Sequence, residues 1–311
     1  MVFESTSKGL QLRRGQEISA WPWVKMRLAR ADAETLQTMI DVWNLEHPAK
    51  LSGTLEDDGR RAVFAFSEVP TPPLTHWSAH VGSAVAAMRA ALDSLAWQAA
   101  HLGETEPRKP KRLYFPILAQ DDAKGWKDWD QNVPDMDEEL RSRFHAVAGL
   151  RDGEVGRALD VLTTLNNVDK HRSSLVLSPL SDEGHLSVEI DLGGQRSRPA
   201  KARFIPLMSP GSRMEVGAEA LAIEWDHAFA SLQTTAAIET TPWLDVALEG
   251  QPESLAPALP VLWTLHERVS SILHFICTGQ DPEGPNTGND DPSEHLPVPV
   301  EDEGGDEPEE K

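Results

Sequence analysis

Residues 159–172 read LDVLTTLNNVDKHR, and the way this stretch divides around a helix decides how the chain is organised. With Leu162 at zero on a helical wheel and about 100° per residue, Leu159, Leu165 and the preceding Val155 gather on one apolar face. Asn166 and Asp169 fall on that same face. Lys170 and Arg172 lie on its flanks, and Asn167 and His171 point away. A carboxylate on a buried face needs a partner, because an unpaired buried charge costs several kcal/mol. The candidates are Arg172, three residues on, or a cation from an opposing helix.

That opposing helix is the clearest in the chain. Between residues 79 and 102, Val81, Val85, Met88, Leu92, Leu95, Ala99 and Leu102 recur in steps of four and three, a helix-packing seam. Arg89 stands on the shoulder of this seam, with Asp93 four residues on. Arg89, Asp93, Asn166, Asp169, Lys170 and Arg172 are therefore expected to form one polar cluster joining two helices. As structure, such a cluster fixes helix register, and cations in a last turn suit the helix dipole. As function, Lys and Arg near an exposed helix end suit a phosphate or nucleotide. Asp169 and His171 are the candidates for catalysis, with no nucleophile evidently paired to the histidine.

Working outward, a third helix is expected over residues 257–278, stopped by Gly279, and 154–172 completes the main helical set. Asp32 reads as the cap of an earlier helix bearing Leu36, Met39, Ile40 and Trp43. Asp57-Asp58-Gly59 reads as the turn of a hairpin ending in the strand 60–66. Val69–Leu74, with three prolines, must be extended. Gly103 suits a helix C-cap. After Arg172 the period changes from 3.6 to 2, and strands are expected at 173–177, 185–192, 201–208, 220–225 and 241–248, separated by the turn-like SPLSDEG, GGQRSRP and SPGSR. The expected fold is α+β: a helical bundle core with an inserted antiparallel meander at about residues 173–250. Residues 1–279 form one domain, and 280–311 form an acidic tail too poor in apolar residues to order itself.

Composition narrows the function classes. The net charge is −21. The tail holds twelve acids and one lysine, so −11 lies there and −10 on the rest. No basic block suits duplex DNA, and Arg108–Arg112 (RKPKR) reads as a solvated loop. The one cysteine, Cys277, excludes a disulfide framework and reads as a buried, inert thiol. No signal peptide or membrane span is evident, and a cytoplasmic location is expected. Ten tryptophans accompany one tyrosine. Trp126 and Trp129, in a polar stretch, are the best candidates for an exposed aromatic surface, although packing as a lid suits them better. His76 and His80 lack the companions of a zinc motif, so no metal and no cofactor are expected.

The segments Met88–Trp97 (MRAALDSLAW), Phe115-Pro116-Ile117 and Leu165–Arg172 (LNNVDKHR) together resemble an uncharacterised bacterial and phage family. Its members show an Arg-x-x-Leu-Asp-His-Leu helix, a Phe-Pro-Ile segment and an Asn-x-x-Asp-Lys-His-Arg helix end. The likeness spans residues 60–180 and implies a fold grouping without an activity. The first helix is also similar to the Arg-x4-His ribonuclease motif of HEPN helical domains. That similarity implies a phosphate-contacting role for Arg89, but Ser94 stands where the histidine belongs. The expectation is therefore a non-catalytic protein that binds a nucleotide, an RNA or a protein partner through the polar cluster. The alternatives are a metal-independent nuclease or phosphotransfer enzyme, and a protein-interaction module whose cluster is purely structural. The helix seam is compatible with a homodimer as well as with intramolecular packing.

Overall fold

The computed structural model describes residues 18–56, 59–150, 153–172, 177–191, 202–209, 212–226, 228, 233–246 and 254–279. The acidic stretch 280–311 lies outside these residues, as do the side chains of Asp169, Lys170, His171 and Arg172. Among the described residues the chain is α+β, with six α-helices and a seven-stranded antiparallel sheet.

Helix α1 (Trp21–Glu46) starts eleven residues before Asp32. Pro22 near its start has no N–H to leave unpaired. Met26, Ala29, Ala33, Leu36 and Ile40 make its buried stripe. Asp32 is thus no cap. Its carboxylate accepts from Ser83 Oγ at 2.6 Å and pairs with His80 Nδ1 at 3.0 Å, tying α1 to α2 (Leu74–Ala100). A cap and a cross-helix acceptor look alike in one dimension, because Asp serves both.

Helix α2 buries Val81, Val85, Met88, Leu92, Leu95 and Ala99, as its seam predicts, but Leu102, the last expected member, lies beyond its end and is half-buried. The helix ends before Gly103, which is small for another reason. A Cβ there would lie 2.5 Å from Asp135 O.

Two short helices follow, α3 (Ala123–Asn132) and α4 (Glu138–Gly149), the latter capped by Asp137 accepting from Glu139 N and Leu140 N. Helix α5 (Glu154–Arg172) buries Val155, Leu159, Leu162 and Leu165 against α2 and α6 (Ala258–Thr278). Gly279 closes α6 in the left-handed conformation, φ 77°, and Arg143 Nη1 donates to Ile276 O at the same end. In the first turn of α5, Glu154 pairs with the buried Arg268 of α6.

The sheet departs from the expected meander. Strands β1 (Ala49–Leu55) and β2 (Arg61–Glu68) form the anticipated hairpin, with Gly59 at φ 66° in its turn. This hairpin is the centre of the sheet. The strand order is β3-β6-β1-β2-β5-β4, with β3 at Leu177–Asp191, β4 at Ala202–Pro206, β5 at Glu219–Trp225 and β6 at Gln233–Val246. Strand β7 (Ser254–Pro257) also pairs with β6. The SPLSDEG segment lies inside β3. Its register with β6 jumps between Ser181 and Leu186, so turn chemistry there makes an irregularity within a strand. Phe64, Phe66, Leu221, Ile223 and Ile238 form a second core on the sheet.

Asn44 joins the two cores. Its Nδ2 donates to Thr240 O at 3.1 Å, and its Oδ1 accepts from Thr240 N at 2.8 Å. Strand β1 begins opposite Ile238, so the carboxamide takes the place that a β1 residue would hold beside Thr240. Both backbone groups of a buried strand residue are satisfied by one side chain.

Candidate functional site

Arg89 and Asp93 stand one turn apart on the part-buried shoulder of α2, and the connector 113–118 meets them at Phe115. Arg89 Nη2 lies 2.9 Å from Asp93 Oδ1, and Nε donates to Oδ2 at 3.2 Å. Both groups then turn to Phe115, whose N–H donates to Asp93 Oδ1 at 2.9 Å and whose C=O accepts from Arg89 Nη2 at 3.2 Å. The pair does for Phe115 what Asn44 does for Thr240. It supplies the partners that an isolated extended segment lacks, and it holds the buried Phe115 ring against Phe144.

This clamp forms the wall of a notch of about 320 Å³, lined by Arg89, Asp93, Tyr114, Phe115, Ile117, Thr163, Asn166 and Asn167. Of the six expected binding residues, Arg89, Asp93 and Asn166 meet here. The side chains of Asp169, Lys170 and Arg172 lie outside the described residues, as does that of His171. The wheel placed Asn166 inward and Asn167 outward, and Asn166 is 5% exposed while Asn167 is exposed. Among the described residues the charge partner of Arg89 is Asp93 on its own helix.

Two donor sets in the notch are unused. No described group accepts from Arg89 Nη1, and none pairs with the carboxamide of Asn166. Thr163 is committed, its Oγ1 donating to Leu159 O at 2.7 Å. A buried amide without a partner forfeits roughly 1–3 kcal/mol. Asn166 escapes that deficit, because it lines an open cavity and its amide atoms are not among the sealed, unpartnered polar atoms of the described residues.

A second groove of about 630 Å³ adjoins the notch, sharing Asp93 and Tyr114 with it and adding Ser19, Trp21, Ala90, Ser94, Trp97, Gln98 and Leu113. Trp21, Trp97 and Tyr114 are 52, 49 and 56% exposed. The exposed aromatic surface is therefore here and not at Trp126 and Trp129. Those two indoles are buried against each other and His145, donating from Nε1 to Ala119 O and Tyr114 O. A signal for Trp97 was present. It lies two residues past Leu95, about 200° around the helix from the seam. Trp21 carried no such signal, because its helix was expected to start later.

Elsewhere, burial pushes the Cys277 thiol up to about 11, against a weaker opposing pull from Arg143, consistent with an inert thiol. Burial also lowers the pKa of His266, whose Nε2 donates to Met26 O at 3.2 Å. Among the described residues no group of three or more His, Cys, Asp or Glu is placed to hold a metal ion, and no helix is long and apolar enough to cross a membrane. Comparison of the chain with protein-family models, with curated proteins and with solved structures finds no match.

Proposed function

We propose that this protein is a non-catalytic binding protein for a small phosphate-bearing ligand of the nucleotide type, seated in the notch between α2 and α5. One observation carries this reading: the carboxamide of Asn166 and the Nη1 edge of Arg89, both without a partner among the described residues, share a cavity. A guanidinium edge beside an amide N–H₂ suits phosphate oxygens, and charge-assisted hydrogen bonds are the stronger kind. Asp93 offsets the charge of Arg89, and the chain outside the tail carries −10. Both favour a mononucleotide over a long polyphosphate backbone, whose binding needs accumulated positive charge. Binding is favoured over nuclease chemistry because Ser94, which lines the adjoining groove, stands at the histidine position of the HEPN-type motif, and no histidine lines either cavity.

The test is calorimetric titration of the full chain with ADP, using wild type and Asn166→Leu. ADP is expected to bind wild type at least about tenfold more tightly than the variant, as the loss of a hydrogen bond to a charged group implies. The variant should still melt no lower than wild type. Equal ADP affinity in the two proteins, or no binding to wild type, would overturn the proposal.

A further inference from the structure

We infer that the aromatic groove beside the notch takes the base of the ligand, so that the protein selects nucleotides over phosphate compounds without a ring; this rests on the notch reading above. Trp21 and Trp97 are both exposed and both held from behind. The His101 imidazole stacks on the Trp97 indole at 3.9 Å between centroids, fixed there by Nδ1 donating to Trp97 O at 2.6 Å. Lys25 Nζ lies 4.8 Å from the centroid of the Trp21 ring. Lys25 comes from the next turn of α1 and His101 from the residue that follows α2, and neither lines the groove, which both indoles do. The rings are thus braced on the outside and bare toward the cavity. A braced, half-exposed indole loses little freedom on stacking, which is what a flat aromatic ligand requires.

The charge balance distinguishes a neutral ring from a cation, the other ligand of aromatic walls. The one carboxylate lining the groove is Asp93, already engaged by the Arg89 guanidinium and Phe115 N–H. No anionic charge is left over for an ammonium. Ser94 and Gln98 offer polar edges, Gln98 keeping its Nε2 after its Oε1 has accepted from Ser19 N. Because Asp93 and Tyr114 line both cavities, a ligand with its phosphates at Arg89 and Asn166 extends past Tyr114 into the groove that both indoles line.

The test compares ADP with pyrophosphate on wild type, Trp97→Ala and Asn166→Leu, by calorimetry and by quenching of tryptophan fluorescence. Wild type is expected to bind ADP at least about tenfold more tightly than pyrophosphate, the margin that one stacked base allows. Trp97→Ala is expected to remove that margin while leaving pyrophosphate affinity unchanged, and ADP is expected to quench wild type more than the variant. Pyrophosphate binding as tightly as ADP, or ADP affinity unmoved in Trp97→Ala, overturns the base-stacking inference and leaves the notch standing. ADP binding that depends on Trp97 and not on Asn166 overturns the notch and with it the inferred placement. Binding of neither ligand overturns both.

Discussion

Asn44 and Asn166 are buried to nearly the same degree, 7 and 5% exposed, on helices of the same core. Asn44 spends its donor and its acceptor on the backbone of Thr240. Asn166 spends neither on any described group. The same side chain at the same depth therefore does two kinds of work. Where a buried amide closes a backbone ladder it contributes to stability, and where it opens on a cavity its hydrogen bonds are left to solvent or, in the function proposed above, to a ligand. The Arg89–Asp93 clamp stands between these cases. It completes Phe115 as Asn44 completes Thr240, yet it leaves the Nη1 edge of Arg89 without a partner among the described residues.

The sharpest way to break this contrast is Asn44→Leu. It strips two buried backbone groups of Thr240 of their partners and should destabilise the chain by about 3 kcal/mol in urea unfolding. A loss under about 1 kcal/mol would mean that the two asparagines are not different in kind. Glu154→Gln probes a third buried polar group in the same way. Arg268 would keep a hydrogen-bond acceptor but lose its counter-charge, and a loss of about 2 kcal/mol is expected, tempered by the partial exposure of Glu154. Asn166→Leu should move the other way. Replacing an amide that has no described partner with an apolar group of similar size is expected to add up to about 1 kcal/mol of stability while abolishing ligand binding. A destabilised Asn166→Leu would place Asn166 with Asn44 and remove the contrast.

The smallest effect concerns His266, which clips α6 to α1 at Met26 and is flanked by Arg30, Glu34 and Glu267. Burial lowers its folded pKa below the ordinary 6.5, so in the window below that value the unfolded chain binds the extra proton first. Its contribution to stability is present above 6.5 and is lost as pH falls toward the folded value. The stability difference between wild type and His266→Gln should therefore shrink from pH 7.5 to pH 5.5, by a few tenths of a kcal/mol or more, measured by urea unfolding at each pH.

Much of the fold was legible because it rests on local periodicity. The seam of α2, the leucine stripe of α5, the hairpin turn at Gly59 and the stop at Gly279 were all read from spacing or from residues with special backbone freedom. The inward turn of Asn166 followed from the same wheel. The failures have one cause, which is that a polar residue announces a need for a partner without saying where the partner is. Asp32 read as a cap and proved to be a cross-helix acceptor. Asp57–Gly59 and SPLSDEG carry similar turn chemistry, yet one closes a hairpin and the other is an irregularity within β3. Trp126 and Trp129 lie in a polar stretch, but their indole N–H groups find carbonyls and their rings find each other.

By itself, the sequence determined which faces of α2 and α5 are dry, that the body is α+β, and that Arg89, Asp93 and Asn166 belong near the junction of two helices. Those facts follow from a helical period acting over neighbours a few residues apart. Only the tertiary structure decided that the hairpin at 49–68 is the middle of the sheet, that the Arg89–Asp93 pair closes on the backbone of Phe115, and that Trp21, Trp97 and Tyr114 converge on one groove. Each of these joins groups far apart in the chain, Asn44 and Thr240 being separated by 196 positions. Such pairings are set by which surfaces remain unpaired once local structure has formed, a property of the whole chain and of no window within it.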